Sequence, residues 1–179
     1  MKNDQRKNNI LGFMMLIVAI AIPSLSQAQV SSSTGRSNVI TENMNQNDIK
    51  AIRKIRKYIN EQKFDKAINR AKRIIKAEAR RSRAGSSYSE FYKEAYNCVC
   101  VGLTGLGKTD EAMEACNTSL ELTPNHWESF KTRATLHYMT QDFQKSLDDF
   151  TMALQNAPKD TGITDVLKQN IDVVKSKIN

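Results

Sequence analysis

The residues of this 179-residue chain whose spacing most literally suggests chemistry are Gly102 to Thr109, G-L-T-G-L-G-K-T. Set between a strand and a helix, such a loop wraps nucleotide phosphates with backbone amides, while its lysine reaches the outer phosphates and its last hydroxyl meets the metal. Lys108 and Thr109 would take those roles in a nucleotide-dependent enzyme. The context argues otherwise. Glu90 to Val101 carries a helical pattern, and no apolar strand ending in Asp follows the loop. A phosphate-loop enzyme using Gly102–Thr109 is therefore the runner-up reading.

The remaining candidates are few. Cys98, Cys100 and Cys116 are odd in number, which excludes a disulfide framework. They pack as small hydrophobes, or one bridge forms and leaves a spare thiol. C-x-C with one more cysteine lacks the paired spacing of a zinc site. His126 and His137 are too few and too poorly partnered for a metal or a general base, and no Ser, His, Asp set has a spacing that sequence can vouch for. No catalytic, cofactor or metal site follows from these residues.

The elements that hold them begin with a leader. Lys2, Arg6 and Lys7 precede a 13-residue apolar run, Ile10 to Ile22, that ends at Pro23. A spanning helix needs about 20 apolar residues, so residues 1–28 read as a signal peptide cut before Gln29, with an uncleaved tether as the other possibility. No other apolar run approaches spanning length. Residues 29–47 are rich in Ser, Asn, Thr and Gln without apolar periodicity, which predicts a flexible polar linker. From residue 48 the pattern turns helical. Asp48 is an N-cap candidate before Ile49, Ile52, Ile55 and Ile59, giving a helix to Asn60. A short turn leads to a second helix with Ala67, Ile68, Ala71, Ile74 and Ile75 on one face, running toward Arg83. Gly85 and three serines end it, and a third helix starts near Ser89.

Laid over itself from Tyr96 and from Phe130, the chain matches at an offset of 34 residues. Tyr96 falls on Phe130, Cys100 on Ala134, Ala112 on Ser146, Cys116 on Phe150, Ser119 on Ala153 and Pro124 on Pro158. A weaker copy with Ile55, Tyr58, Ala67, Ala71 and Ile74 precedes both, with Ala79 where proline would stand. This order of aromatic, small and proline residues resembles the tetratricopeptide repeat, a helix-turn-helix unit. The resemblance implies an all-α superhelical array over residues 48–179, with repeats at about 48–83, 90–124 and 125–158 and a capping helix at about 161–178. Cys100 and Cys116 then lie on paired antiparallel helices equidistant from Lys108, so any bridge joins those two while Cys98 points elsewhere.

The resemblance also implies a non-catalytic, cofactor-free interaction scaffold whose inner helices line a groove. Arg53 and Arg56, Asn97 and Val101, and Lys131, Thr135 and Tyr138 are the residues carried onto that surface. They do not complete a peptide-carboxylate clamp. Charge adds a second candidate surface. Between Lys50 and Arg83 stand 14 Lys and Arg against Glu61, Asp65 and Glu78, a net of +11; from Ala84 onward 9 basic residues face 13 acidic ones, a net of −4. The basic hairpin, with Arg70, Arg73 and Arg80, points to an acidic protein or an anionic envelope surface, or it is a solvated face that aids solubility. For an exported, periplasmic or secreted chain, the expected partner is a protein, peptide or anionic envelope component, and no nucleic acid is expected.

Overall fold

The structure, a computed structural model, describes residues 46–82, 89–159 and 162–178. The expected signal peptide, the linker up to residue 45 and the serine-rich stretch 83–88 lie outside the described residues. Among the described residues seven helices follow one another: α1 Gln46–Asn60, α2 Phe64–Ser82, α3 Glu90–Gly105, α4 Thr109–Leu122, α5 Trp127–Met139, α6 Phe143–Asn156 and α7 Gly162–Ile178. No strand occurs among the described residues. Helix α1 starts at Gln46, inside the stretch read as linker, because Asp48 sits in the first turn, where a negative charge complements the helix dipole, instead of capping it. Ser89 does cap α3, its side chain accepting from Tyr92 N–H at 3.2 Å.

Proline sets helix length. Pro124 and Pro158 each stand two residues beyond the ends of α4 and α6, which run 14 residues, whereas Ala79 in the equivalent place lets α2 run 19. The three hairpin turns are closed identically. Gln62 N–H donates to Ile59 O and Lys63 N–H to Tyr58 O at 2.9 and 2.8 Å, and the same two bonds recur at Gly107/Lys108 and Gln141/Asp142. This double bond pattern requires a left-handed residue, and φ is 55° at Gln62, 69° at Gly107 and 64° at Gln141. Two other glycines of the phosphate-loop-like segment serve packing. A Cβ on Gly105 would lie 2.5 Å from ring atoms of Phe64, and one on Gly102 would lie 2.7 Å from Cγ1 of Ile68, so α3 approaches α2 only where side chains are missing. Gly102 to Gly105 form the last turn of α3 and Thr109 opens α4, so only 106–108 lie between helices, and no strand leads into the segment.

Inside each hairpin the same crossing is filled in three ways. Ile55 with Ala71, Cys100 with Cys116 and Ala134 with Phe150 hold equivalent positions, all of them buried. Large meets small in the first and third repeats. In the second the two small residues are joined as a disulfide, Cα atoms 4.9 Å apart, and Cys98 is left as a buried free thiol. Ala67, Ala112 and Ser146 make the next small position, where the Ser146 hydroxyl donates to Ala134 O at 2.8 Å. Tyr96, which falls on the buried Phe130 in the repeat register, is half-buried; Tyr92 one turn earlier is buried and meets its ring edge-on at 5.2 Å. Two core clusters interlock: Leu136 of α5 joins the cluster of α1 to α4, and Leu120 of α4 joins that of α5 to α7.

Gln141→Gly should raise stability by about 0.5–1 kcal/mol, since glycine holds positive φ without steric cost, while Gly105→Ala should lower it by about 1–3 kcal/mol through overpacking on Phe64. Urea unfolding of both variants checks the opposite signs. Reducing the Cys100–Cys116 bridge, which closes a 16-residue separation, should cost about 3 kcal/mol on the chain-entropy scale. Peptide mapping should find that pair bridged, and a bridge to Cys98 would contradict the facing of α3.

Candidate inner-face site

Helices α1, α3 and α5 contact one another in series, with α2, α4 and α6 packed behind them. The repeat puts Glu94 of α3 and Glu128 of α5, 34 residues apart, at equivalent places on adjacent inner helices. Two carboxylates so placed repel. Arg56 of α1 reaches both: Nη1 and Nη2 donate to Glu128 Oε1 and Oε2 at 3.0 and 2.7 Å, and Nη2 also donates to Glu94 Oε1 at 2.7 Å. Asn97 Nδ2 donates to Glu128 Oε2 at 2.9 Å, and its Oδ1 accepts from the Ser129 hydroxyl at 3.1 Å. The Ser119 and Ser129 hydroxyls lie 2.8 Å apart, which carries the network back to α4.

Burial by itself would raise the Glu128 carboxyl, but the Arg56 hydrogen bond and charge outweigh it and hold the pKa below the ordinary value. Burial would likewise lower Arg56, yet Glu128 and Glu94 keep its pKa raised, so the guanidinium stays charged. Lys131 is lowered by burial; Glu128 opposes the shift and Arg56 adds to it. Its ammonium stands 5.6 Å from the Trp127 ring centroid, a cation–π distance. Burial and the Glu94 charge push the Cys98 thiol well above its ordinary value, so it is a poor nucleophile.

Glu94, His126 and Glu128 offer three potential ligand atoms within 4.8 Å of one another. Their hydrogen bonds do not suit a cation. His126 Nδ1 accepts from Ser129 N–H at 3.3 Å, which leaves the ring proton on Nε2, the nitrogen that faces Glu94 Oε2 at 3.3 Å. A ligating imidazole needs that nitrogen bare, and Arg56 already engages both carboxylates.

Solved structures share the helical fold of this chain. The P58(IPK) TPR domain superposes with a TM-score of 0.60 at 16% identity, over 74% of this chain and 34% of that one. The first TPR of Spaghetti (RPAP3), bound to the HSP90 peptide SRMEEVD, gives 0.56 at 15% identity, over 75% of this chain and 95% of that one. The TPR2B domain of yeast Sti1 in its pHsp70 complex gives 0.56 at 15%, over 74% and 99%. The fold is that of the tetratricopeptide repeat. Among curated proteins, the DnaJ homolog subfamily C member 3 homolog of Dictyostelium discoideum is 32% identical over 74 residues, 41% of this chain. The chain spans only 15% of that protein's length. No family model matches the chain.

Within the tetratricopeptide array the expected groove residues divide. Arg56, Asn97 and Lys131 meet in one cluster, but Asn97 is 2% exposed and braces α3 against α5 from inside. Thr135 is buried as well, its hydroxyl donating to Lys131 O at 3.0 Å. Val101 and Tyr138 are half-buried, the Tyr138 ring edge-on to Phe143 at 5.4 Å. Arg53, Arg73 and Arg80 are exposed, whereas Arg70 is half-buried with Nε enclosed. His126, set aside from sequence as poorly partnered, is held by Glu94 and Ser129. Glu94 and Glu128 were not singled out. The 34-residue register would have stacked them had it been applied to charges as well as to apolar residues.

Because the folded Glu128 pKa lies below its ordinary 4.5, its contribution to stability is complete above that value and is lost as pH falls through the folded pKa. Glu128→Gln should therefore flatten the acid limb of stability below about pH 4.5. At pH 7 it should cost about 1–2 kcal/mol, a figure kept small because Arg56 is 45% exposed. Denaturant unfolding of both proteins across pH 3 to 7 checks this.

Proposed function

We propose that this chain is an exported, non-catalytic interaction scaffold that holds a protein or peptide along its inner face, with the α1–α2 hairpin drawing an anionic partner. The observation that carries the reading is the Arg56 bridge. It locks three inner helices into one surface before any ligand arrives, and preorganisation of that kind reduces the ordering cost of binding. The Spaghetti domain with this fold holds an HSP90 peptide, and the Sti1 domain is complexed with pHsp70, which supports a peptide or protein as ligand. At the rim, Lys131, Tyr138 and the exposed Arg53 offer a cation, an aromatic edge and a second cation.

Export is supported by the leading apolar run and by the Cys100–Cys116 bridge, because disulfides persist in oxidising compartments. No described helix is long and apolar enough to cross a membrane. The non-catalytic reading rests on the inner cluster, where Arg56, Glu94, Glu128 and His126 engage one another. The runner-up enzyme draws no support from a segment whose glycines pack on Phe64 and Ile68. Affinity capture from the native envelope is the test. A groove partner should be lost, by about tenfold or more in affinity, from a Lys131→Ala, Tyr138→Ala double variant with unchanged helicity. Retention of every partner by that variant, or ATP binding that Lys108→Ala abolishes, would overturn the reading.

A further inference from the structure

We infer that the outer face of the α1–α2 hairpin docks on an anionic lipid bilayer. The inference deepens the reading that this hairpin serves an anionic partner and rests on it. Lys66, Arg73, Lys76 and Arg80 are exposed on α2, the helix packed behind α1, at steps of seven, three and four residues, which makes one stripe. In the hairpin, Arg56 pairs with Glu94 and Glu128, and Glu61 with Lys57 and Lys63. None of the four cations of the stripe takes part in these pairs.

The composition of the patch selects the surface it fits. A protein interface has an apolar centre and few lysines, yet the exposed large hydrophobics of the described residues, Leu106, Met152, Val173 and Ile178, all lie outside this hairpin. Single-stranded nucleic acid needs open aromatic platforms. Here Tyr58 is half-buried with Lys54 6.0 Å from its ring centroid, and Phe64 packs on Gly105. A layer of lipid phosphates asks only for cations spread over breadth. The chain's layout adds to this. The apolar run Ile10–Ile22 precedes α1 in the chain with 23 residues between them. Whenever that run enters a bilayer, the hairpin is the nearest folded part. The exposed Asp110, Glu114 and Glu121 of α4 would be repelled by the same surface, so the array would stand basic end down.

The test uses the full chain with vesicles of neutral phosphatidylcholine and with vesicles holding about one third phosphatidylglycerol. The apolar run can enter both kinds, so the readout is the ratio of anionic to neutral binding, together with protection of Lys66, Lys72 and Lys76 from acetylation. The ratio should be about tenfold or more at low salt and approach one at about 0.5 M salt. The variant Lys66→Gln, Arg73→Gln, Lys76→Gln, Arg80→Gln should bring it near one with unchanged circular dichroism. A wild-type ratio near one, or a preference that the variant keeps, overturns the inference. Salt-dependent binding to heparin or an acidic peptide without vesicle binding overturns the lipid assignment and leaves the anionic-partner reading standing; indifference to all three probes removes both.

Discussion

The inner face depends on how two like charges are kept one above the other. A repeat that places Glu94 and Glu128 at equivalent positions of neighbouring helices would by itself push those helices apart. A single guanidinium resolves this, because its planar fork satisfies one carboxylate bidentately and still reaches the second. A lysine in that place would be a point charge for one of them. The consequence extends beyond local pairing. In a repeat array each unit ordinarily contacts only its neighbours, yet Arg56 and Glu128 are 72 residues apart and belong to the first and third repeats. The bridge couples units that packing alone would leave independent, and it fixes the relation of three helices at the place where a ligand would lie.

Behind that face, close packing imposes a volume rule with more than one solution. The hairpin crossing accepts Ile55 over Ala71, Ala134 under Phe150, or two cysteines joined through their sulfurs. Each fills the same gap. The second repeat uses the covalent solution and is also the repeat whose α3 carries the glycines that admit Phe64 and Ile68. α3 is thus held by close approach to α2 and by a covalent bridge to α4.

Ile52, Ile55 and Ile59, the 34-residue offset and the two prolines made the helices, their pairing and their ends readable, because burial imposes a period and proline forbids continuation. Gly107 marked its turn, but nothing in Gln62 or Gln141 announces positive φ. Only their offsets from Gly107 place them there. The Gly102–Thr109 motif pointed to phosphate because the residue type fits two demands equally: a backbone that approaches an anion and a backbone that approaches another helix. Sequence cannot tell which neighbour is near. Asn97 was read as surface for a related reason. Its position faces the groove, but its amide is drawn inward by Glu128 and Ser129, and that pull depends on side chains 31 and 32 residues away.

The hairpin's charge separates into two parts of different origin. Arg56 is the member turned toward the array, and its charge is consumed by Glu94 and Glu128, so the fold requires it. The other cations gain little for folding, since isolated surface charges contribute at most about 1 kcal/mol and like charges on one face oppose one another. Helix formation would be served equally well by glutamine or glutamate at Lys66, Arg73 or Arg80. Inter-helix contacts therefore account for Arg56, and pairing with Glu61 for Lys57 and Lys63, but the exposed Lys66, Arg73, Lys76 and Arg80 have no such partner in the fold. Glu94 and Glu128 are thus occupied within the inner face by Arg56, while Lys66, Arg73, Lys76 and Arg80 of α2 stay exposed on the opposite side of the hairpin.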